Sequence, residues 1–174
     1  MIFFTADLHF GHDKLVARRG FDSVEEMDET LIDNWNARIT DADTVYIAGD
    51  MFVCPVRRIR AILDRLAGIK ILAVGNHDRT WIRHRSLTSA FREIAPVVEY
   101  FGPRDTVVVT HYPMLDWYRR RHGAIQVYGH VHDACDAPYS RYLARMRGAY
   151  NAGVDVCGLA PVTLAELRAR PRGF

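Results

Sequence analysis

The feature that most constrains this chain is a series of five short apolar runs, each followed by a cluster of Gly, Asp, Asn or His. Apolar runs of about five residues that are rich in β-branched and aromatic side chains are typical of strands buried on both faces. Helical patterns alternate with the runs, so the sequence predicts one α/β domain over residues 1–174. The runs are residues 2–6, 44–48, 70–74, 106–110 and 124–128.

Capping signals and apolar spacing place the other elements. Ser23 and Glu26 have the spacing of a capping box and predict a helix that continues to about Ile39. The same pattern at residues 163–166 predicts a short C-terminal helix. Further helices are expected over residues 56–66 and 81–94, and a weaker strand within residues 148–156.

Composition excludes several classes of protein. The net charge is only +2, from 23 basic and 21 acidic residues, which gives no strong electrostatic case for nucleic-acid binding. The apolar runs are far shorter than the roughly 20 residues of a membrane span, so no membrane partner is expected. The N-terminus lacks the basic region of a signal peptide. The number of cysteines is odd, and none of them forms a C-x-x-C motif, which predicts a reduced, cytoplasmic protein; they are Cys54, Cys135 and Cys157.

The polar clusters predict a metal site. Ligands of open α/β sheets bind beyond the carboxyl ends of the strands, where these side chains would meet. The mixture of N and O donors without sulfur suits Mn²⁺, Zn²⁺, Fe or Ni²⁺. Seven protein ligands are too many for one tetrahedral ion, but they suit two divalent ions that share a carboxylate, an arrangement typical of phosphate-ester hydrolysis. The seven are Asp7, His9, Asp50, Asn76, His111, His130 and His132.

The order of these motifs resembles the calcineurin-like metallophosphoesterase superfamily, and in particular its small bacterial or phage-type members that begin D-L-H-F-G-H. The series D-x-H, G-D, G-N-H-D, H and G-H-x-H stands here in family order between residues 7 and 132, about three quarters of the chain. The resemblance implies a four-layer αββα sandwich of two mixed β-sheets flanked by helices, with a dinuclear metal site at the carboxyl ends of the strands. It also implies hydrolysis of a phosphate ester, with a phosphodiester favoured, by a metal-activated hydroxide.

Ligand roles follow from the same resemblance. Asp50 would bridge the two ions. The first ion would be held by Asp7, His9 and His132, and the second by Asn76, His111 and His130.

The resemblance also implies catalytic and supporting roles. His77 resembles the family histidine that protonates or stabilises the leaving oxygen, and Asp78 would orient its ring. Residues 151–155 resemble a stretch that closes the site in related sequences. The chain departs from the common G-D-x-x-D-R motif, because Met51 to Cys54 follow Asp50 and the second Asp and the Arg are missing.

Three residues are candidates for substrate binding. His12 lies three positions after His9, and Arg18 and Arg19 lie in the loop after the first strand, where guanidinium groups could clamp a phosphoryl oxygen. The expected partner is a phosphate-ester substrate, with nucleotides and nucleic-acid derivatives among the candidates. The oligomeric state is left open.

A second reading of the same motifs is a non-catalytic protein-interaction module built on the phosphoesterase fold. A module without catalytic activity does not require a histidine outside the set of metal ligands. The presence of His77 beside seven complete ligand positions therefore favours the enzyme.

Overall fold

Within residues 1–134 and 136–170, which the computed structural model describes, eight strands form two four-stranded sheets. The first sheet contains, in spatial order, β1 (Ile2–Thr5), β2 (Thr44–Ile47), β3 (Ile69–Ala73) and β4 (Phe91–Ala95). The second contains β5 (Val97–Phe101), β6 (Thr106–Thr110), β7 (Ile125–Tyr128) and β8 (Ala149–Asn151). The α-helices are α1 (Val24–Asn36), α2 (Val56–Leu63), α3 (Arg85–Thr88), α4 (Ser140–Arg145) and α5 (Leu164–Ala169).

The strand directions confirm the predicted two sheets. The four strands of the first sheet are parallel, because α1 and α2 return the chain to the same end of that sheet, and Val162 adds an isolated antiparallel bridge to Phe4 at its edge. The second sheet combines an antiparallel β5–β6 pair with parallel pairs from β6 to β8.

Three apolar clusters define the four layers. The first lies between helices α1 and α2 and the outer face of the first sheet, and its centre is the fully buried Trp35, whose indole N–H donates to the Ala67 carbonyl at 3.0 Å. The second fills the space between the sheets, where Phe4 and Val127 are both fully buried. The third packs α4 and Trp117 on the outer face of the second sheet. Each fully buried large apolar side chain contributes about 1.5–3 kcal/mol to folding.

The segment from Trp81 to Ala95 corrects a secondary-structure prediction. In place of one helix over residues 81–94 there are a 3₁₀ turn (Trp81–Arg83), the single turn α3 and then strand β4. β4 forms because it adds parallel to β3, a pairing that overrides the local helical pattern. Pro96 is the single residue between β4 and β5, so the chain passes from one sheet to the other there.

Both predicted capping signals lie at helix starts. The Ser23 hydroxyl accepts from the Glu26 N–H at the start of α1, although the Glu26 carboxylate accepts from the Asp22 N–H instead of completing the box. The Thr163–Glu166 box at α5 is complete. In the described part of the chain, no helix has the length and apolarity to cross a bilayer. Cys54 and Cys157 are free thiols, and Cys135 lies outside the described residues.

Candidate metal centre

The carboxyl ends of five strands converge at one edge of the sandwich and bring all seven predicted ligands together. In each of two groups of residues, the donor atoms all lie within 4.8 Å of one another, so each group could hold a metal ion. A third group, formed by His9, Asp50 and His77, overlaps the other two. The first two groups are Asp7, His9 and His132, and Asp50, His111 and His130.

Most of these residues have a backbone conformation that L-amino acids rarely adopt. Five of the seven predicted ligands have a positive φ, between 49° and 71°. The left-handed region costs roughly 1–3 kcal/mol per non-glycine residue, and it clusters at functional sites. Strain at this one edge indicates that its geometry is set by the site. The five are Asp7, His9, Asp50, His130 and His132.

Asp50 occupies the centre of the site. Its Oδ2 atom lies 3.3 Å from His111 Nε2 in one group and 3.7 Å from His9 Nε2 in the other, and 4.0 Å from His77 Nε2. Its Oδ1 atom accepts a hydrogen bond from the backbone N–H of His77 at 2.8 Å. One carboxylate oxygen therefore faces both groups of donors.

The atoms around His111 fit a cation. Its Nδ1–H donates to the Ala48 carbonyl at 2.8 Å, which leaves a lone pair on Nε2. That lone pair faces Asn76 Oδ1 at 3.0 Å, His130 Nδ1 at 3.2 Å and Asp50 Oδ2. Burial lowers the pKa of His111, but the Asp50 carboxylate outweighs it and raises the pKa. Acceptor atoms that face one another in this way repel each other. A positive charge between them, such as that of a divalent cation, would stabilise the arrangement.

His9 gives independent support for this fit. The His9 side chain is 3% exposed, and neither ring nitrogen has a hydrogen-bond partner among the described residues. Burial lowers the pKa of His9 to about 3, so the ring is neutral and offers a lone pair, as a metal ligand must. Burial also raises the pKa of Asp7 to about 7, because the carboxylate lies in the protein interior. A buried acceptor without a donor is costly unless a ligand satisfies it.

Glycines allow the strand ends to approach one another closely. A Cβ atom on Gly75 would lie 2.2 Å from Asp50 Oδ1, and one on Gly129 would lie 2.7 Å from Asp7 Oδ2. No side chain fits at either position without moving a predicted ligand. The Gly before Asn76 and the Gly before His130 therefore make room for carboxylates.

Asp78 does not have the role expected for it. The Asp78 carboxylate was expected to orient the His77 ring. It is fully buried, and among the described residues the His77 ring does not donate a hydrogen bond to it. Burial raises its pKa, although three backbone N–H groups favour the charged form. Asp78 thus ties together the turns after β2 and β3 and does not orient His77. Its donors, all at 2.8–2.9 Å, are the backbone N–H groups of Asp50, Met51 and Gly75 and the indole N–H of Trp81.

The three candidate substrate-binding residues are placed differently from one another. The Arg19 side chain is only 2% exposed and is fully engaged by protein acceptors, so it cannot reach a phosphate, and the expectation for it is wrong. Arg18 is about half exposed and pairs with Asp133. His12 lies beside the site, with its ring centroid 5.5 Å from that of His9 and 5.9 Å from that of His77.

Two residues outside the predicted site contact it directly. The Asp155 carboxylate accepts from His132 Nδ1 at 2.5 Å; burial raises the pKa of Asp155, but hydrogen bonds from His132 and Arg19 hold it below its usual value. The Tyr112 hydroxyl donates to Asn76 Oδ1 at 3.1 Å. Asp155 ends the 151–155 stretch that resembles a site-closing segment, so a signal existed for it, whereas nothing in the sequence distinguishes Tyr112.

Comparison with known proteins finds relatives along almost the whole chain. An uncharacterized protein of Methanocaldococcus jannaschii, MJ1445, is 31% identical over 167 residues, which cover 94% of this chain and 86% of that protein. The Gene 66 protein of Mycobacterium phage L5 is 30% identical over 184 residues, covering 89% and 86%. No protein-family model matches.

The fold is shared with a solved structure. The protein of unknown function AQ665 from Aquifex aeolicus has a TM-score of 0.74 and 23% identity, and the match covers 97% of both chains. The chain belongs to the same family as MJ1445 and the Gene 66 protein of phage L5. The ordered motifs that resemble those of the calcineurin-like metallophosphoesterases meet at the strand ends of the two-sheet sandwich.

Proposed function

We propose that this protein is a phosphoesterase of a single domain, residues 1–174, that uses two divalent metal ions to hydrolyse phosphodiesters. The observation that carries the proposal is the position of Asp50, whose Oδ2 atom lies between a histidine of each donor group. A carboxylate that faces two groups of N and O donors is the arrangement that a pair of cations requires. The complete donor set also favours an enzyme over an interaction module.

The ligand assignment is part of this proposal. When bound, two divalent cations would lower the pKa of a water molecule and neutralise charge on the phosphoryl group. Asp50 would hold both ions. Asp7, His9 and His132 would hold the first, and Asn76, His111 and His130 the second.

We assign His77 to the leaving group. Its side chain is 41% exposed at the rim of the site, while its backbone N–H is fixed by Asp50 Oδ1 at 2.8 Å. From this position the ring donates a proton to the leaving oxygen, a contribution typically worth about 10²–10⁴-fold in rate. His12 lies next to His77, where it contacts the substrate, and the exposed Arg18 lies on the side of His132.

The substrate class follows from the surroundings of His77. A groove of about 310 Å³ opens beside it and is lined by both apolar and polar side chains, which suits the second ester arm of a diester. Further residues that line the groove are Phe52, Val53, Asn76, Thr80 and Trp81. Nucleotides and nucleic-acid derivatives belong to this class.

We place the reaction in the cytoplasm, where the free thiols Cys54 and Cys157 stay reduced.

The test is hydrolysis of chromogenic esters by protein treated with a chelator and then supplied with Mn²⁺, Ni²⁺ or Zn²⁺. We expect bis(p-nitrophenyl) phosphate to be cleaved faster than p-nitrophenyl phosphate, and only with metal. Asp50→Asn should reduce the rate to background and lower the metal content below two ions per chain. Asp64→Asn is the matched control, because Asp64 is 54% exposed in a surface pair with Arg60 and should leave both unchanged.

Two results would contradict the proposal. One ion or none per wild-type chain at saturating metal would exclude the dinuclear centre. Two bound ions without hydrolysis of either ester class would favour the interaction module instead.

A further inference from the structure

The buried guanidinium of Arg19 forms a junction at the end of β1, because it joins the backbone that follows this strand to Asp155. Its Nε and Nη2 atoms donate to the two oxygens of Asp155 at 2.7 and 3.2 Å, which is a bidentate pair. Its Nη1 atom donates to the Leu8 carbonyl at 2.8 Å, and Nη2 also donates to the Asp7 carbonyl at 2.7 Å. Arg19 therefore holds the backbone between two predicted ligands and links it to a residue 136 positions away.

Asp155 extends this junction to the third ligand of the same donor group. Its Oδ2 atom accepts from His132 Nδ1 at 2.5 Å, while Asn151 Nδ2 donates to the His132 carbonyl at 2.8 Å. With the proton fixed on Nδ1, the Nε2 lone pair of His132 is free to face Asp7 and His9. The ring stacks on His9 with centroids 5.1 Å apart.

The backbone that Arg19 holds is strained. Asp7 has φ 56° and His9 has φ 51°, so the turn that presents both side chains needs external contacts to persist. Two charge-assisted hydrogen bonds to the carbonyls of Asp7 and Leu8 supply such contacts.

The other donor group is held by different residues. Asp50 is tied by its backbone N–H to Asp78, and the His111 ring is tied to the Ala48 carbonyl. The hydrogen bonds of Arg19 and Asp155 described above reach Asp7, Leu8 and His132 but not this group. Apart from the His130 backbone N–H, which donates to the two Asp7 carboxylate oxygens at 3.0 and 2.8 Å, the two halves of the centre thus have separate supports.

We propose that Arg19 and Asp155 act together as a clamp that selectively raises the metal affinity of the Asp7–His9–His132 half of the centre. The proposal rests on the proposed dinuclear function. Both are positioning residues: Asp155 fixes the ring and tautomer of His132, and Arg19 fixes Asp155 together with the turn of Asp7 and His9. Loss of such partners of metal ligands typically lowers metal affinity about 10–100-fold.

The experiment is isothermal titration calorimetry of chelator-treated, full-length protein with Mn²⁺. For the wild type we expect two binding steps, and His132→Ala and His111→Ala identify which step belongs to which half. Asp155→Asn keeps the shape of the side chain and removes its charge, and Arg19→Met keeps the unbranched apolar part of the side chain and removes the guanidinium. Each should weaken the step lost in His132→Ala by about 10–100-fold and change the other step by less than about 3-fold.

Control variants separate the clamp from general destabilisation. Arg38→Met removes another arginine–carboxylate pair, in which Arg38 Nη2 donates to both oxygens of Glu166 away from the metal centre, and it should change neither binding step. Thermal melts of each metal-free variant show whether it is folded at the temperature of the titration. Because the two clamp residues act as a unit, the double variant should weaken the step far less than the product of the single effects.

The outcomes distinguish this proposal from the proposed function. Unchanged binding steps in folded Asp155→Asn and Arg19→Met, or equal weakening of both steps, would overturn the clamp. A wild type that binds two ions but hydrolyses no ester would overturn the proposed function and leave the clamp standing. A wild type that binds no Mn²⁺ would overturn both.

Discussion

Asp78→Asn should destabilise the fold because the Asp78 carboxylate serves as acceptor for several buried N–H groups at once. Oδ2 accepts from the backbone N–H groups of Asp50 and Gly75, and Oδ1 accepts from Met51 N–H and the Trp81 indole. An amide replaces one of these oxygens by a donor, so two N–H groups would face another N–H. Hydrogen bonds to a charged group are worth about 1.5–3 kcal/mol each, so the expected loss is about 3–6 kcal/mol.

Urea unfolding of the metal-free protein measures this loss without interference from metal binding. For a chain of this size each kcal/mol corresponds to roughly 2–4 °C in Tm, so a thermal scan should fall by about 6–24 °C. Trp81→Phe is the matched variant, since it removes a single donor to Asp78 and keeps an aromatic ring. It should cost less than Asp78→Asn, and the two changes combined should cost less than their sum.

The reasoning would be refuted by a loss below about 1 kcal/mol in Asp78→Asn. That result would mean that water or local relaxation satisfies the N–H groups released by the substitution. It would also remove the explanation of how the turns after β2 and β3 are held together at Gly75.

Three further results are expected. His77→Ala should lower kcat for alkyl phosphodiesters by about 10²–10⁴-fold, and less for p-nitrophenyl esters that leave without a proton, with two metals retained; equal losses for both leaving groups would contradict the role as acid. His12→Ala should raise KM with little change in kcat, and an unchanged KM on a cleaved substrate would exclude contact with it. The Arg38 guanidinium lowers the pKa of Glu166 from 4.5 to about 2, so Glu166 adds stability above pH 4.5 that is lost as the pH falls towards 2. Urea unfolding should therefore separate the wild type from Glu166→Gln at pH 6 and not near pH 2, and a gap that does not depend on pH would contradict this.

The strands and the convergence of the seven predicted ligands were predictable because they depend on local signals. An apolar run followed directly by D-x-H or G-N-H-D carries both the strand and its polar end, and parallel strands bring such ends to one edge. β4 was not predictable in this way. Phe91 to Ala95 become a strand only because they pair with the edge of β3. The local sequence pattern does not indicate this pairing partner.

The supporting residues illustrate a second limit. Arg19 lies in the loop after the first strand and Asp78 ends the G-N-H-D motif, and their expected roles followed from those positions. Their actual partners depend on the tertiary fold: Arg19 turns inward to Asp155, and Asp78 turns away from His77 towards the turn of Asp50. Residue type predicts what a side chain can bind, but only the fold decides which partner it meets.

The pairing of Arg19 with Asp155 has a consequence for the timing of synthesis. The two residues are 136 positions apart, and translation at roughly 5–20 residues per second separates their appearance by about 7–27 s. During that interval a nascent chain carries the charged Arg19 and the turn of Asp7 and His9 without the carboxylate that holds them. The turn of Asp7 and His9 is therefore made early but gains all of its native contacts only after Asp155 is made, and a ribosome-bound chain that stops before residue 155 should lack the native turn.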